Sequence, residues 1–360
     1  MLEFRAMRSL VLPLLLFLFS RLWAAPAEAQ SWKVQTSGMD TNLRGVSAVY
    51  VHDKKGAQSV AVWASGSNGV ILRSLDEGTT WQRLSVAGGE ALDFRGVVGF
   101  DAKTAFLMSS GEGDKSRIYK TKDGGVTWTL QYSDTRKEFF LDTIACLSET
   151  HCFALGDPIG GKFFLLQTTD GEHWNALPTE NMPSSLPGEG AFAASNSSLL
   201  VFGEMILFGT GGPAARVFRS PDLGRSWTMA ETPLAHGNAS SGVFSLTRWR
   251  GTVVIAAGGD YRDTKRASDV AAFSLDDGQT WQLSSQLPRG YRSAVVSNPA
   301  LVFAVGPDGE DSSEDGGVSW KHTDALNLNA ATLLDNWNGW AVGPKGTIAR
   351  FVPRKAAEAR

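Results

Sequence analysis

The 360-residue chain holds only two cysteines, Cys146 and Cys152. That excludes a disulfide-dense mini-scaffold and a cysteine-rich zinc or iron–sulfur protein. Histidines are five: His52, His151, His173, His236 and His322. No two have metal-ligand spacing, so neither a metal nor a cofactor is expected. Neither sign of charge is in excess. Lys and Arg total 34 against 37 Asp and Glu, a formal charge of −3. A nucleic-acid binder or a basic membrane coat would be more lopsided. Beyond residue 29 no apolar run approaches the ~18 residues that span a bilayer. The Gly-rich runs lack the strand–GxxxxGK[ST]–helix setting of a phosphate loop, so nucleotide binding is not expected.

What is present begins with an address. Arg5 and Arg8 precede the apolar run Val11 to Phe19, and Ala27-Glu28-Ala29 forms an A-x-A cleavage site. Residues 1–29 therefore read as a secretory signal, with a mature chain starting at Gln30 in the periplasm or outside the cell. No cysteine follows the run, so a lipid-modified N-terminus is not available. Export implies an oxidising compartment. Cys146 and Cys152 flank a Ser-Glu-Thr-His turn region between β-type segments, which predicts a disulfide closing a hairpin.

Glycine and tryptophan are abundant, at 39 and 12 residues. The tryptophans mark a repeat, Ser/Thr-x-Asp-x-Gly-x-Thr/Ser-Trp. Its Asp residues are Asp76, Asp123, Asp170 (in a shortened copy), Asp222, Asp276 and Asp315. Successive copies stand 47, 47, 52, 54 and 39 residues apart. The hydroxyl and carboxylate can bond backbone N–H groups of a tight turn, the Gly takes positive φ cheaply, and the Trp starts the next strand. The role is structural, neither catalytic nor calcium-binding. Around the first copy, strands are read at Leu43–Val51, Ser59–Trp63, Val70–Ser74 and Thr80–Leu84. Four strands in about 45 residues is one propeller blade.

Six copies define six blades. A seventh starts at Leu328 and lacks its turn and Trp. The missing strand is at the other end, where Ser31-Trp32-Lys-Val resembles the close of a motif. The expected fold is all-β: one seven-bladed propeller over 30–353, closed by pairing the N-terminal strand with the last blade, followed by a loose tail at 354–360. Closure removes the two free sheet edges.

These residues resemble the Asp-box, or BNR, repeat of sialidases and other propellers. A wider pattern runs from Gly66 and Gly69 through Arg73-Ser74 to Trp81, and again from Gly343 and Gly346 to Arg350. In this the chain is similar to the photosystem II stability/assembly factor family and its relatives in bacteria without photosystems. The resemblance covers nearly all of the expected mature chain. It departs in having no lipid-anchored Cys and in longer insertions in blades 4 and 5. It implies an assembly-factor-like scaffold, and fold alone does not fix function.

The first strand of each blade should line the central channel. Aligned on their apolar pattern, these segments are Leu43-Arg44-Gly-Val, Phe94-Arg95-Gly-Val, Leu141-Asp142-Thr-Ile, Glu189-Gly-Ala-Phe, Ser241-Gly-Val-Phe, Tyr291-Arg292-Ser-Ala and Asn329-Ala-Ala-Thr. The alignment gathers Arg44, Arg95 and Arg292 around Asn329 into one cationic arc, facing Asp142 and Glu189. A planar guanidinium fork suits an oxyanion, for instance a chain-end carboxylate. The same arginines could instead pair with neighbouring acids and tie blades together. Facing loops add Asp157, Asp260 and Tyr261. The function expected is a monomeric, non-enzymatic scaffold that binds a protein or peptide. The alternative is a sialidase-like hydrolase, with the three arginines as a triad, Tyr261 or Tyr291, and Glu189. Against it, Phe94-Arg95-Gly-Val departs from the FRIP signature at its last two positions.

Overall fold

A computed structural model describes residues 30–52, 56–334 and 338–353. The expected signal segment 1–29 and tail 354–360 lie outside the described residues. Among those described, the chain forms seven antiparallel sheets in a ring, a seven-bladed β-propeller. One 3₁₀ turn, Gly113–Lys115, accompanies them. No helix among the described residues is long and apolar enough to cross a membrane.

Blade 1 runs Leu43–His52, Gln58–Gly66, Ile71–Ser74 and Gln82–Leu84. Blade 2 runs Asp93–Gly99, Ala105–Ser110, Arg117–Thr121 and Thr129–Ser133. Blade 3 is Leu141–Cys146, Cys152–Ile159, Lys162–Thr168 and Asn175–Ala176. Blade 4 is Leu199–Phe202, Met205–Gly209, Arg216–Ser220 and Thr228–Glu231. Blade 5 is Asn238–Arg248, Val254–Asp260, Ala271–Ser274 and Gln282–Leu283, with Gly211–Gly212 added at its inner edge. Blade 6 is Ala294–Ser297, Val302–Gly306, Gly309–Ser313 and Lys321–Asp324. Blade 7 joins Ala330–Leu333, Gly339–Val342 and Thr347–Pro353 to the N-terminal strand Gln30–Thr36.

Each motif copy is a turn between the third and fourth strands. In blade 1 the Ser74 hydroxyl accepts the N–H of Gly78 at 2.8 Å and donates to the Asp76 carboxylate at 2.8 Å. That carboxylate accepts the Thr80 N–H at 2.9 Å and the Thr80 hydroxyl at 2.6 Å. The Trp81 indole N–H returns to the Gly78 carbonyl at 3.1 Å. The carboxylate bonds recur at Asp123, Asp222, Asp276 and Asp315, and the indole bond at Trp227, Trp281 and Trp320 but not at Trp128, whose buried N–H has no partner. In the shortened copy His173 replaces the second hydroxyl and meets Asp170 at 2.7 Å. Hydrogen bonds to Thr127 pull the Asp123 carboxyl down to about 2.

Seven apolar clusters sit between the seven adjacent pairs of blades. The one between blades 6 and 7 contains Trp32 of the closing strand. Trp32 pairs with Phe351 across strands, and their rings lie 5.1 Å apart. The Trp32 indole N–H donates to Glu310 of blade 6. Blade 7 also meets blade 1 directly, where the Leu43 N–H donates to the Gly343 carbonyl at 3.1 Å. In blade 3, Cys146 pairs with Cys152 in register and the two form a disulfide.

Candidate functional site

The heads of the first strands surround a cavity of about 570 Å³ at one mouth of the channel. β-Bulges aim their side chains into it. The ladder skips Arg44 between Leu43 and Gly45, Arg95 between Phe94 and Gly96, Asp142 between Leu141 and Thr143, and Phe244 between Val243 and Ser245. A bulged residue leaves the ladder and turns its side chain out of the sheet's alternation. The glycine after Arg44 is needed for this. A Cβ on Gly45 would lie 2.7 Å from the Ser65 hydroxyl and 3.0 Å from the Arg95 carbonyl.

Arg44, Arg95, Asn329, Asp142, Asp157 and Tyr261 all line the cavity. Arg44 makes no hydrogen bond and no ion pair among the described residues, and its buried Nε has no partner. Burial, and then the Arg95 charge, lower its pKa. Arg95 is held: its Nε donates to Asp93 at 2.7 Å and its Nη1 to the Ala193 carbonyl at 3.0 Å. Asn329 bridges blades 7 and 1, donating to Asn42 at 2.6 Å and to the Leu43 carbonyl at 2.8 Å. In the adjacent blade 3, Asp142 is fully buried, with Oδ2 unpartnered. Burial and then the Asp157 charge raise its pKa well above the usual carboxyl range. Burial pushes Asp157 up to about 6, against one N–H from Ala191 at 3.1 Å.

Arg292 does not join the arc, which corrects the sequence alignment. Its side chain is fully buried in blade 6, where it donates to Asp311 through Nε at 2.8 Å and through Nη2. The backbone gives the reason. The N–H groups of Leu43, Arg292 and Leu328 donate to Gly343, Gly258 and Gly306 of the preceding blade. Arg292 thus occupies the core slot of Leu43 and Leu328. Ser293, one residue on, is the true counterpart of Arg44 and Asn329, and it lines the cavity. A one-residue slip exchanges the two faces of a strand.

Two further expectations are corrected. Glu189 is not on a first strand, which in blade 4 is Leu199–Phe202. It is locked by Arg216, whose Nε donates to it at 2.8 Å, and by the Thr210 hydroxyl at 2.6 Å. Asp260 ends the second strand of blade 5 and braces its loop, accepting the Asn238 amide at 3.0 Å and the Arg262 N–H at 2.9 Å. It does not line the cavity, although its neighbour Tyr261 does.

With this geometry the chain resembles several solved propellers. YCF48 bound to D1 peptide is 15% identical with a TM-score of 0.60, over 89% of this chain and 96% of that one. YCF48 from Cyanidioschyzon merolae is 15% identical with a TM-score of 0.60, over 90% and 100%. A streptogramin B lyase structure is 12% identical with a TM-score of 0.61, over 91% and 98%. At such identities the likeness establishes the fold alone. No protein-family model matches the chain, and no curated protein matches it in sequence.

Sequence reasoning missed Phe192, Phe244 and Ser293, which also face the cavity, as does Tyr291, expected only in the hydrolase alternative. No constant sequence offset marks them: Arg292, before Ser293, bonds Gly258 34 residues back, whereas Leu328, before Asn329, bonds Gly306 22 residues back.

Proposed function

We propose that the chain is an exported, non-enzymatic scaffold that binds a protein or peptide at the channel mouth, seating an anionic group against Arg44 and Arg95. The observation that carries this is Arg44, a half-buried guanidinium with no ion-pair partner of its own among the described residues, beside a second arginine that Asp93 orients. A carboxylate arriving there meets donors that are already placed, in surroundings where charge interactions are stronger than in water. The peptide-bound YCF48 structure supports the reading by likeness of fold. The sialidase-like alternative loses support, because Arg292 and Glu189 are each consumed in a buried ion pair.

The test is retention. Wild type and an Arg44→Gln/Arg95→Gln variant with matching unfolding curves are immobilised and exposed to cell-envelope extract. A protein held by the wild type and lost with the variant is expected. Identical retained sets, or turnover of a fluorogenic sialoside, would overturn the reading. Export is checked by the intact mass of envelope-derived protein, expected to begin at Gln30.

A further inference from the structure

The wall between the arginines and Ser293 is aromatic, and it stands apart from the apolar clusters that join the blades. The Phe192 and Phe244 rings stack at 3.7 Å and 12°. Tyr291 and Tyr261 stand edge-on to Phe244 at 4.8 and 6.1 Å. None of these four rings belongs to the seven apolar clusters that join the blades. All four line the cavity instead. Phe192 is only half-buried, with Phe244 behind it. The backbone is shaped to admit it: a Cβ on Gly211 would lie 2.4 Å from the Phe192 ring.

The mouth is therefore sorted by chemistry around the ring. Blades 1 and 2 present Arg44 and Arg95, and blade 3 presents Asp142 and Asp157. The segments of blades 4, 5 and 6 present Phe192, Phe244 and Tyr291. A volume of about 570 Å³ holds a chain end of two or three residues, in the usual range of small-ligand sites.

We propose that the cavity recognises a peptide C-terminus whose last residue is aromatic or large and apolar, with the carboxylate on Arg44 and Arg95 and the side chain on the Phe192 ring. This rests on the scaffold reading above and names its ligand class. An aromatic side chain gains area and ring contact there. An acidic last residue gains neither, and it faces Asp142 and Asp157.

Fluorescence anisotropy with one labelled peptide body, ending in free Phe, Ala or Asp or in amidated Phe, tests the assignment. Free Phe should bind at least about tenfold more tightly than free Ala, the scale on which an apolar pocket discriminates. Free Asp should be the weakest of the acids, and amidated Phe should lose affinity by a similar factor. Phe192→Ala should bring the Phe/Ala ratio toward one and leave the acid/amide ratio intact. Arg44→Gln should do the reverse, and Phe192→Leu should retain most of the Phe preference. Equal binding of Phe and Ala ends, with the acid/amide difference intact, would overturn this inference and leave the scaffold reading standing. Loss of the acid/amide difference in the wild type, or no binding by any peptide, would overturn both.

Discussion

A guanidinium at the head of a first strand has two fates in this ring. Arg44, on a bulge, turns into the channel without a partner. Arg292, one slot earlier in its own blade, points into a blade core and needs a buried acid. Asp311 answers it, and also accepts the Arg289 N–H at 3.3 Å. Removing one partner of such a pair leaves a buried charge uncompensated, which costs about 3–5 kcal/mol. Asp311→Ala is therefore expected to destabilise by that amount in urea unfolding, while Arg44→Gln changes stability by little. If Asp311→Ala unfolds at the wild-type midpoint, the ion pair is not holding blade 6.

At the scale of elements, the turn motif acts locally, which is why it is legible. Every bond it needs lies within four residues, as between Ser74, Asp76, Gly78 and Thr80. The four-strand blade, the count of seven and the closing role of Trp32 follow from it. Where a side chain points at the channel does not, because that depends on register against the preceding blade. One residue of slip hid Arg292 and concealed Ser293. In blade 4 the expected channel segment at Glu189 precedes the first strand by ten residues, since the chain crosses the mouth through Ala191–Ala194 before Leu199–Phe202 begins. Apolar pattern cannot register a segment whose backbone meets the neighbouring sheet at an isolated bridge, Gly190 to Gly211. The closing strand gives a sharper test. Trp32 is almost fully buried, so Trp32→Ala should cost about 3–5 kcal/mol. Trp32→Phe, which keeps a ring and drops the indole N–H, should cost less. Equal midpoints for wild type and Trp32→Ala in chemical unfolding would deny the strand its closing role.

At the scale of the whole molecule, two sets of carboxyls oppose each other in pH. Hydrogen bonds hold the motif acids low, Asp123 at about 2. Their contribution is present above the ordinary carboxyl value near 4 and fades as pH falls through the folded values. Burial holds Asp142 high, Asp157 at about 6 and Glu310 at about 7. Their contribution is complete below the ordinary value and is lost as pH rises through the folded ones. Stability should peak near pH 4–5 and decline toward 7, by thermal unfolding across pH 3–8. Asp157→Asn with Glu310→Gln should flatten the neutral limb. A wild-type profile that rises steadily from pH 5 to 7 would contradict the burial of these groups.

Guanidinium NMR tests the channel mouth most directly. With arginine-labelled protein, the Nε–H signals of Arg44, Arg95 and Arg292 are assigned by single Lys replacements and followed as a peptide with a free C-terminal Phe is added. The signals of Arg44 and Arg95 should move together along one saturating curve while Arg292, locked on Asp311, stays fixed. Three unmoved signals, or Arg292 moving with the other two, would contradict a ligand seat built from Arg44 and Arg95.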